Sequence, residues 1–206
     1  MKKIKLHRLQ KIAAACLHIA SNCNDDTCIS VDDLSFCADK SFTANEIFYE
    51  ERSILSAIQW QISRPTIYDY ISLYFSLPND NIVSHGNRLH LVAMYLSELA
   101  VQSELYLKCS SALIASLVVI IVRFNHDGLI HVWPNELEEL SGHKLVDLEE
   151  PLIYLCSLIK KIPHSYPNLK VISRRYRSNT RGRGLAGMNI KLIIDPSDLE
   201  ALKFKD

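Results

Sequence analysis

Glycine and proline are scarce in this chain, with 6 and 7 among 206 residues. That excludes low-complexity sequence and argues against an all-β fold built on frequent turns. Charge of one sign is not in excess either. The 23 Lys and Arg balance the 23 Asp and Glu, so the molecule as a whole has no electrostatic reason to seek nucleic acid or a membrane surface. Long hydrophobic runs are missing. The longest, Ala112 to Val122, contains Ser116 and is too short to cross a bilayer. The basic first ten residues are not followed, in order, by the apolar run and small-residue cleavage site of a secretory signal.

Catalytic signatures are lacking as well. There is no G-x-G-x-x-G, no P-loop and no G-x-S-x-G elbow. The histidines are dispersed, and none shares helical spacing with a second His and a Glu. Paired acids such as Asp32-Asp33, Glu50-Glu51 and Glu138-Glu139 fall mostly at helix starts or on polar faces, and acids near helix N-termini are expected from the helix dipole alone. The 6 cysteines are scattered without a C-x-x-C pair, which suits reduced thiols in a cytosolic or nuclear protein. Cys23, Cys28, Cys37 and His18 form the one set that could be drawn as a zinc site, and their spacing does not match one. Cys16, Cys109 and Cys156 are expected in the core. No metal, cofactor or catalytic residue is therefore expected, and a helical protein without chemistry of its own is expected to be a binding module.

What the chain does have is helical periodicity. Leu9 to Asn22 is an alanine-centred apolar helix with Ile12, Cys16, Ile19 and Cys23 on one stripe. Ser30 with Asp33 opens a short helix through about Ala38. Thr43 with Glu46 has capping-box spacing and opens a long helix to about Trp60, with Ile47, Ile54, Leu55 and Ile58 as its stripe. Glu51 lies one turn from both Ile47 and Leu55, so a carboxylate interrupts an apolar face. It is either a half-exposed stripe edge or a carboxylate that meets a donor on a partner, since burying it unpaired is costly.

Arg64-Pro65 is the natural boundary. Thr66 and Asp69 open the next helix, through about Phe75, and Ser76 to Gly86 reads as a loop. An amphipathic helix follows, with Leu89, Val92, Leu96, Leu99 and Ala100 at helical spacing. Ser110 to Phe124 is apolar nearly all round, which predicts burial on every side. Pro134 to Leu140 reads as a short helix, and Asp147 with Glu150 opens a last long one ending near Lys161, with Pro151 in its first turn. The expected organisation is a partial helical unit over 1–63, a five-helix unit over 64–162 and a tail over 163–206. In the tail, Leu169, Ile172 and Tyr176 hint at one more short helix, and Lys191 to Ile194 is an ambiguous strand-like piece. Arg174, Arg175, Arg177, Arg181 and Arg183 are either a solvated face or a nuclear-import or nucleic-acid patch.

LQKIAAACLHIASN, then TANEIFYEERSILSAIQW, then ISRPTIYDY, resembles the second half of the N-terminal cyclin box of A- and B-type cyclins. YLSELAVQSELYLKCSSALIASL, WPNELEELSG and the helix containing Pro151 are similar, in order, to the C-terminal box. The resemblance implies an all-α cyclin fold of two boxes, the first showing only helices 3–5 and the second all five. It implies a regulatory subunit of a cyclin-dependent serine/threonine kinase in cell-cycle control, acting in nucleus and cytoplasm, not itself an enzyme. Such a subunit presses on the kinase C-helix and completes the Lys–Glu pair that phosphoryl transfer needs. Carried onto this chain, the kinase-binding positions are Ile19, Asn22, Cys23, Glu51, Leu55 and Trp60. Leu9 and Gln10 match the remaining wall of a substrate-docking groove.

Two departures bear on that expectation. Asn22 and Cys23 stand where the family has a lysine and an aromatic. The family's first two box helices, with the M-R-A-I-L stretch that forms most of the docking groove, have no counterpart, so RxL-type kinase substrates are expected to dock weakly. A cyclin-fold protein that binds without activating is the nearest alternative. A cyclin-box nucleic-acid-binding factor resembling general transcription factor B is a further one, although nucleic acid is not the expected partner and a membrane is excluded.

Overall fold

A computed structural model describes residues 5–77, 86–127, 132–165 and 171–177. All regular structure among them is helical, and the chain divides into two compact units between Arg64 and Pro65. None of the described helices is long and apolar enough to cross a membrane.

Unit 1 contains α1 (Leu6–Asn24), α2 (Val31–Cys37) and α3 (Ala44–Ala57). Every start and stop after the head of α1 has a local cause. The backbone N–H of Ile29 donates to Ser21 Oγ at 2.9 Å and Asn24 Nδ2 donates to the Ala20 carbonyl at 2.8 Å, which closes the turn after α1. Ser30 caps α2 by accepting from Asp33 N at 3.0 Å. Thr43 and Glu46 form a reciprocal capping box at the head of α3. Both α2 and α3 end without glycine. Asp39-Lys40 and Gln59-Trp60 take left-handed φ angles of 52°, 54°, 55° and 59°. Lys40 N then donates to Ser35 O, and Trp60 N to Leu55 O, each at 2.8 Å, which satisfies carbonyls the last turn leaves free.

The apolar core of unit 1 is thin: Ala15, Phe42 and Ile47, with Ala14, Val31, Leu34, Ala38 and Ile54 against it. α1 does not bury the stripe expected of it. Cys16 and Cys23 are exposed, while Ala15, His18, Ile19 and Ser21 are buried. The helix is rotated because α1 meets α3 through charge: Lys11 reaches Glu46 at 2.7 Å, Arg8 reaches Glu50 at 2.7 Å and His18 reaches Glu51 at 3.2 Å. Ile58 is exposed because α3 has already ended.

Unit 2 is built around α7 (Ser111–Asp127), whose residues Ile114 to Phe124 are all buried. The hydroxyl of Ser116, inside that run, donates to the Ala112 carbonyl at 3.0 Å and so is not left unpaired. α4 (Ile67–Tyr74), α5 (Gly86–Val101) and α9 (Leu145–Ser165) pack on α7, and α8 (Asn135–Ser141) touches its flank. Leu89, Val92, Leu96, Leu99 and Ala100 all point into this core. α4 opens with a second capping box, Thr66 with Asp69. Gly142, at φ 70°, ends α8, and Trp133 Nε1 donates to His143 O at 2.9 Å.

α9 begins at Leu145, earlier than its acidic pair suggested, so Pro151 lies in the second turn rather than the first. Its ring removes the N–H that would bond the Asp147 carbonyl. One helical turn, α6 (Leu105–Lys108), has no counterpart in the sequence expectation. It is held by buried Leu105 and by Lys108 Nζ on Glu104 at 2.9 Å. α10 (Val171–Arg177) packs on α5, with Arg175 and Tyr176 both on the Glu98 carboxylate at 2.8–3.0 Å. The exposed guanidinium of Arg175 is thus partly neutralised. Arg181 to Gly187 and Lys191 to Ile194 lie outside the described residues.

Candidate functional site: the α1–α3 face of unit 1

Three basic side chains of α1, Arg8, Lys11 and His18, meet three carboxylates of α3, and the three pairs differ in kind. Glu46 has both oxygens engaged. Lys11 Nζ donates to Oε1 at 2.7 Å and Thr43 N to Oε2 at 2.9 Å. The lysine first, then the threonine amide, hold this carboxyl down from the ordinary 4.5 to about 2. Glu50 is buried at 4% exposure and takes a two-pronged contact from Arg8, Nε on Oε1 at 3.0 Å and Nη2 on Oε2 at 2.7 Å. That contact raises the Arg8 guanidinium further above its ordinary value and supplies the geometry a buried carboxylate requires.

Glu51 is different. Its side chain keeps 20% of its accessibility, and its partner is the buried His18, whose Nδ1 lies 3.2 Å from Oε2. A carboxylate can only accept, so Nδ1 carries the hydrogen. Asn22, one turn further along α1, brings Nδ2 to 3.4 Å from both ring nitrogens. The edge of Phe48 packs on the imidazole, centroids 6.0 Å apart at 78°. Glu51 and Asn22 do not touch each other. His18 joins them.

The expected site residues fall into three groups. Asn22 and Glu51 are brought together at the end of α1. Cys23 and Trp60 are exposed, Trp60 at 66% and thrust outward by its left-handed backbone, while Ile19 and Leu55 are buried. Leu9 and Gln10 are exposed at the other end of α1, roughly 20 Å from Asn22 at the helical rise. Among the described residues no hydrogen bond or ion pair links them to the Glu51 cluster. Among the described residues no group of His, Cys, Asp or Glu could hold a metal ion, and Cys23, Cys28 and Cys37 are all exposed free thiols.

Sequence reasoning missed His18, Arg8 and Glu50. A signal existed for Glu50, which is three residues after Ile47 and four before Ile54 and so shares their face. A signal also existed for His18, four residues before Asn22 on the same helix.

Comparison with known proteins gives two family matches. The model described as "Cyclin, N-terminal domain" covers residues 1–63 and the one described as "Cyclin, C-terminal domain" covers residues 65–186. The chain is 28% identical to Cyclin-A3-2 of Arabidopsis thaliana over 149 residues, 72% of this chain and 40% of that protein. It is 20% identical to Cyclin-A3-1 of Oryza sativa subsp. japonica over 205 residues, 100% of this chain and 53% of that protein. To the G2/mitotic-specific cyclin-A of Drosophila melanogaster it is 26% identical over 174 residues, 84% of this chain and 34% of that protein. The chain thus spans about half or less of the length of these relatives.

Proposed function

The chain belongs to the cyclin family and has its all-α fold, and we propose from that premise that it binds a cyclin-dependent serine/threonine kinase through the α1–α3 face and raises its activity. The chain contributes no catalytic group of its own. It presses on the kinase C-helix and brings that helix's glutamate to the active-site lysine, completing the ion pair that phosphoryl transfer needs.

The observation that carries this reading is Glu51. It stands where the family resemblance places a kinase-binding glutamate, its side chain is partly exposed, and its Oε1 has no partner among the described residues. Exposed Asn22, Cys23 and Trp60 form the rest of the contact surface, and buried Ile19 and Leu55 support it from beneath. Co-purification with a cyclin-dependent kinase, and phosphoryl transfer to a histone-like substrate, test the proposal. A complex and a rise in rate are expected, and no binding at micromolar concentration overturns it. Glu51→Ala is expected to weaken the complex about thirtyfold or more, the cost of truncating a charged member of an interface, and Asn22→Ala about twofold. Comparable losses contradict the assignment.

A second reading, a complex without activation, is favoured by Asn22. An amide donates hydrogen bonds but carries no charge, so the partner meets a weaker contact than a lysine gives. A complex that forms while the phosphoryl-transfer rate stays flat supports this second reading. Leu9 and Gln10, exposed on α1, offer one wall for RxL-type substrates, and weak docking is expected there.

A further inference from the structure

We propose that His18 is the positioning residue of the partner-facing carboxylate: it fixes Oε2 of Glu51 so that Oε1 alone is presented to the kinase. The inference rests on the kinase-binding reading above and adds to it a residue outside the expected contact set.

Glu46 spends one oxygen on Lys11 and the other on Thr43. Glu50 spends both on Arg8. Glu51 spends Oε2 on His18, and among the described residues Oε1 has no partner. Of the three carboxylates on this seam, Glu51 is therefore the one with an oxygen that has no partner among the described residues.

An exposed glutamate samples several rotamers, and a partner that needs one of them must bear the entropy of selecting it. His18 removes that burden. Its ring is buried and fixed by α1 and by the edge of Phe48, so the direction of Nδ1–H is set by packing. The Asn22 amide lies 3.4 Å from both ring nitrogens, over the ring rather than along the Nε2 lone pair, so it packs on the imidazole. Asn22 thus touches His18 and not Glu51, and its own truncation is expected to cost less.

The test uses the full chain and calorimetric titration with a cyclin-dependent kinase. His18→Leu keeps the apolar body and removes the donor, and is expected to weaken binding about tenfold. His18→Gln keeps an N–H that can reach Glu51, and is expected to stay within about threefold of wild type. Glu51→Gln made on the His18→Leu background is expected to add less than twofold, because the two residues act as one unit. Wild-type affinity in His18→Leu, or losses that multiply in the double variant, overturns the proposal. If His18→Leu fails to fold, as judged by its thermal transition, the His18→Gln rescue and the ring nitrogen signals of His18 decide. Protonation at Nδ1 in the neutral ring, lost in Glu51→Leu, is expected, and an unchanged signal overturns the pair. A wild-type chain that binds no kinase overturns the functional reading instead, and the ring signals still judge the pair.

Discussion

α7 and α1 look alike as sequence, each an alanine-containing apolar helix, yet the structure uses them in opposite ways. Every side chain of α7 from Ile114 to Phe124 is buried. On α1 the buried set is Ala15, His18, Ile19 and Ser21, and Leu9, Ala13, Cys16, Leu17, Ala20 and Cys23 face outward. The neighbours make the difference. α4, α5, α8 and α9 surround α7 with leucine, isoleucine and tyrosine, so burying hydrocarbon stabilises that helix from all sides. α1 packs chiefly on α3, and α3 offers it a row of glutamates. Unit 2 is thus held by dispersion and the hydrophobic effect, and unit 1 by a few apolar residues and a seam of charge pairs.

The largest test of that contrast is a matched pair of truncations. Ile120→Ala, in the fully buried run of α7, is expected to destabilise unit 2 by ~2–5 kcal/mol, the range for deleting buried methylenes and leaving a cavity. The buried Trp133 belongs to the same cluster, so its emission during urea unfolding reports the loss. Leu17→Ala on α1, at 49% exposure, is expected to change stability by no more than ~0.5 kcal/mol. Equal losses from the two would erase the distinction.

A smaller effect separates the kinds of force within unit 1. Arg8→Met removes both donors from Glu50 and leaves a buried carboxylate unpaired, so the urea midpoint of unit 1 should fall. Arg8→Met with Glu50→Leu replaces the pair by apolar groups and should recover most of that loss. Were the double variant as unstable as the single one, the pair would be a source of net stability and not a device that fixes how α1 is rotated on α3.

Much of the fold was legible because its signals are local. Thr43 with Glu46, Thr66 with Asp69 and Ser30 with Asp33 announce helix starts within four residues, and the structure forms each of those caps. The ends of α2 and α3 were less legible. Asp39-Lys40 and Gln59-Trp60 adopt left-handed angles without the glycine that advertises such a turn. The start of α9 and the turn α6 also escaped, since Leu145 follows the α8 stop at Gly142 too closely to carry a cap and α6 depends on Leu105 reaching the core. The exposed faces of Cys16 and Cys23 could not be read from α1 at all. Helical spacing says which residues share a face, but only Glu46, Glu50 and Glu51 on another helix say which face turns inward. For the same reason Glu51 was found, as an acid among isoleucines, and His18 was not.

The two capping boxes give the finest comparison. Glu46 and Asp69 occupy equivalent positions, each accepting from its threonine. Glu46 also binds Lys11, and that contact leads the list of what lowers its carboxyl to about 2. Asp69 is lowered chiefly by the Thr66 backbone N–H. Both acids have depressed folded values, so each contributes stability that is complete above its ordinary titration range and is lost as pH falls through the folded value. For Glu46 the window runs from 4.5 down to about 2. Amide exchange of α3 and α4, followed between those limits, should show α3 losing protection over the whole window and α4 losing less. Glu46→Gln keeps the box but not the charge on Lys11, so it should flatten the acid dependence of α3 and leave α4 unchanged. If α3 keeps its slope in that variant, the charge seam does not hold α1 on α3, and the contrast between the two units reduces to the size of their apolar cores.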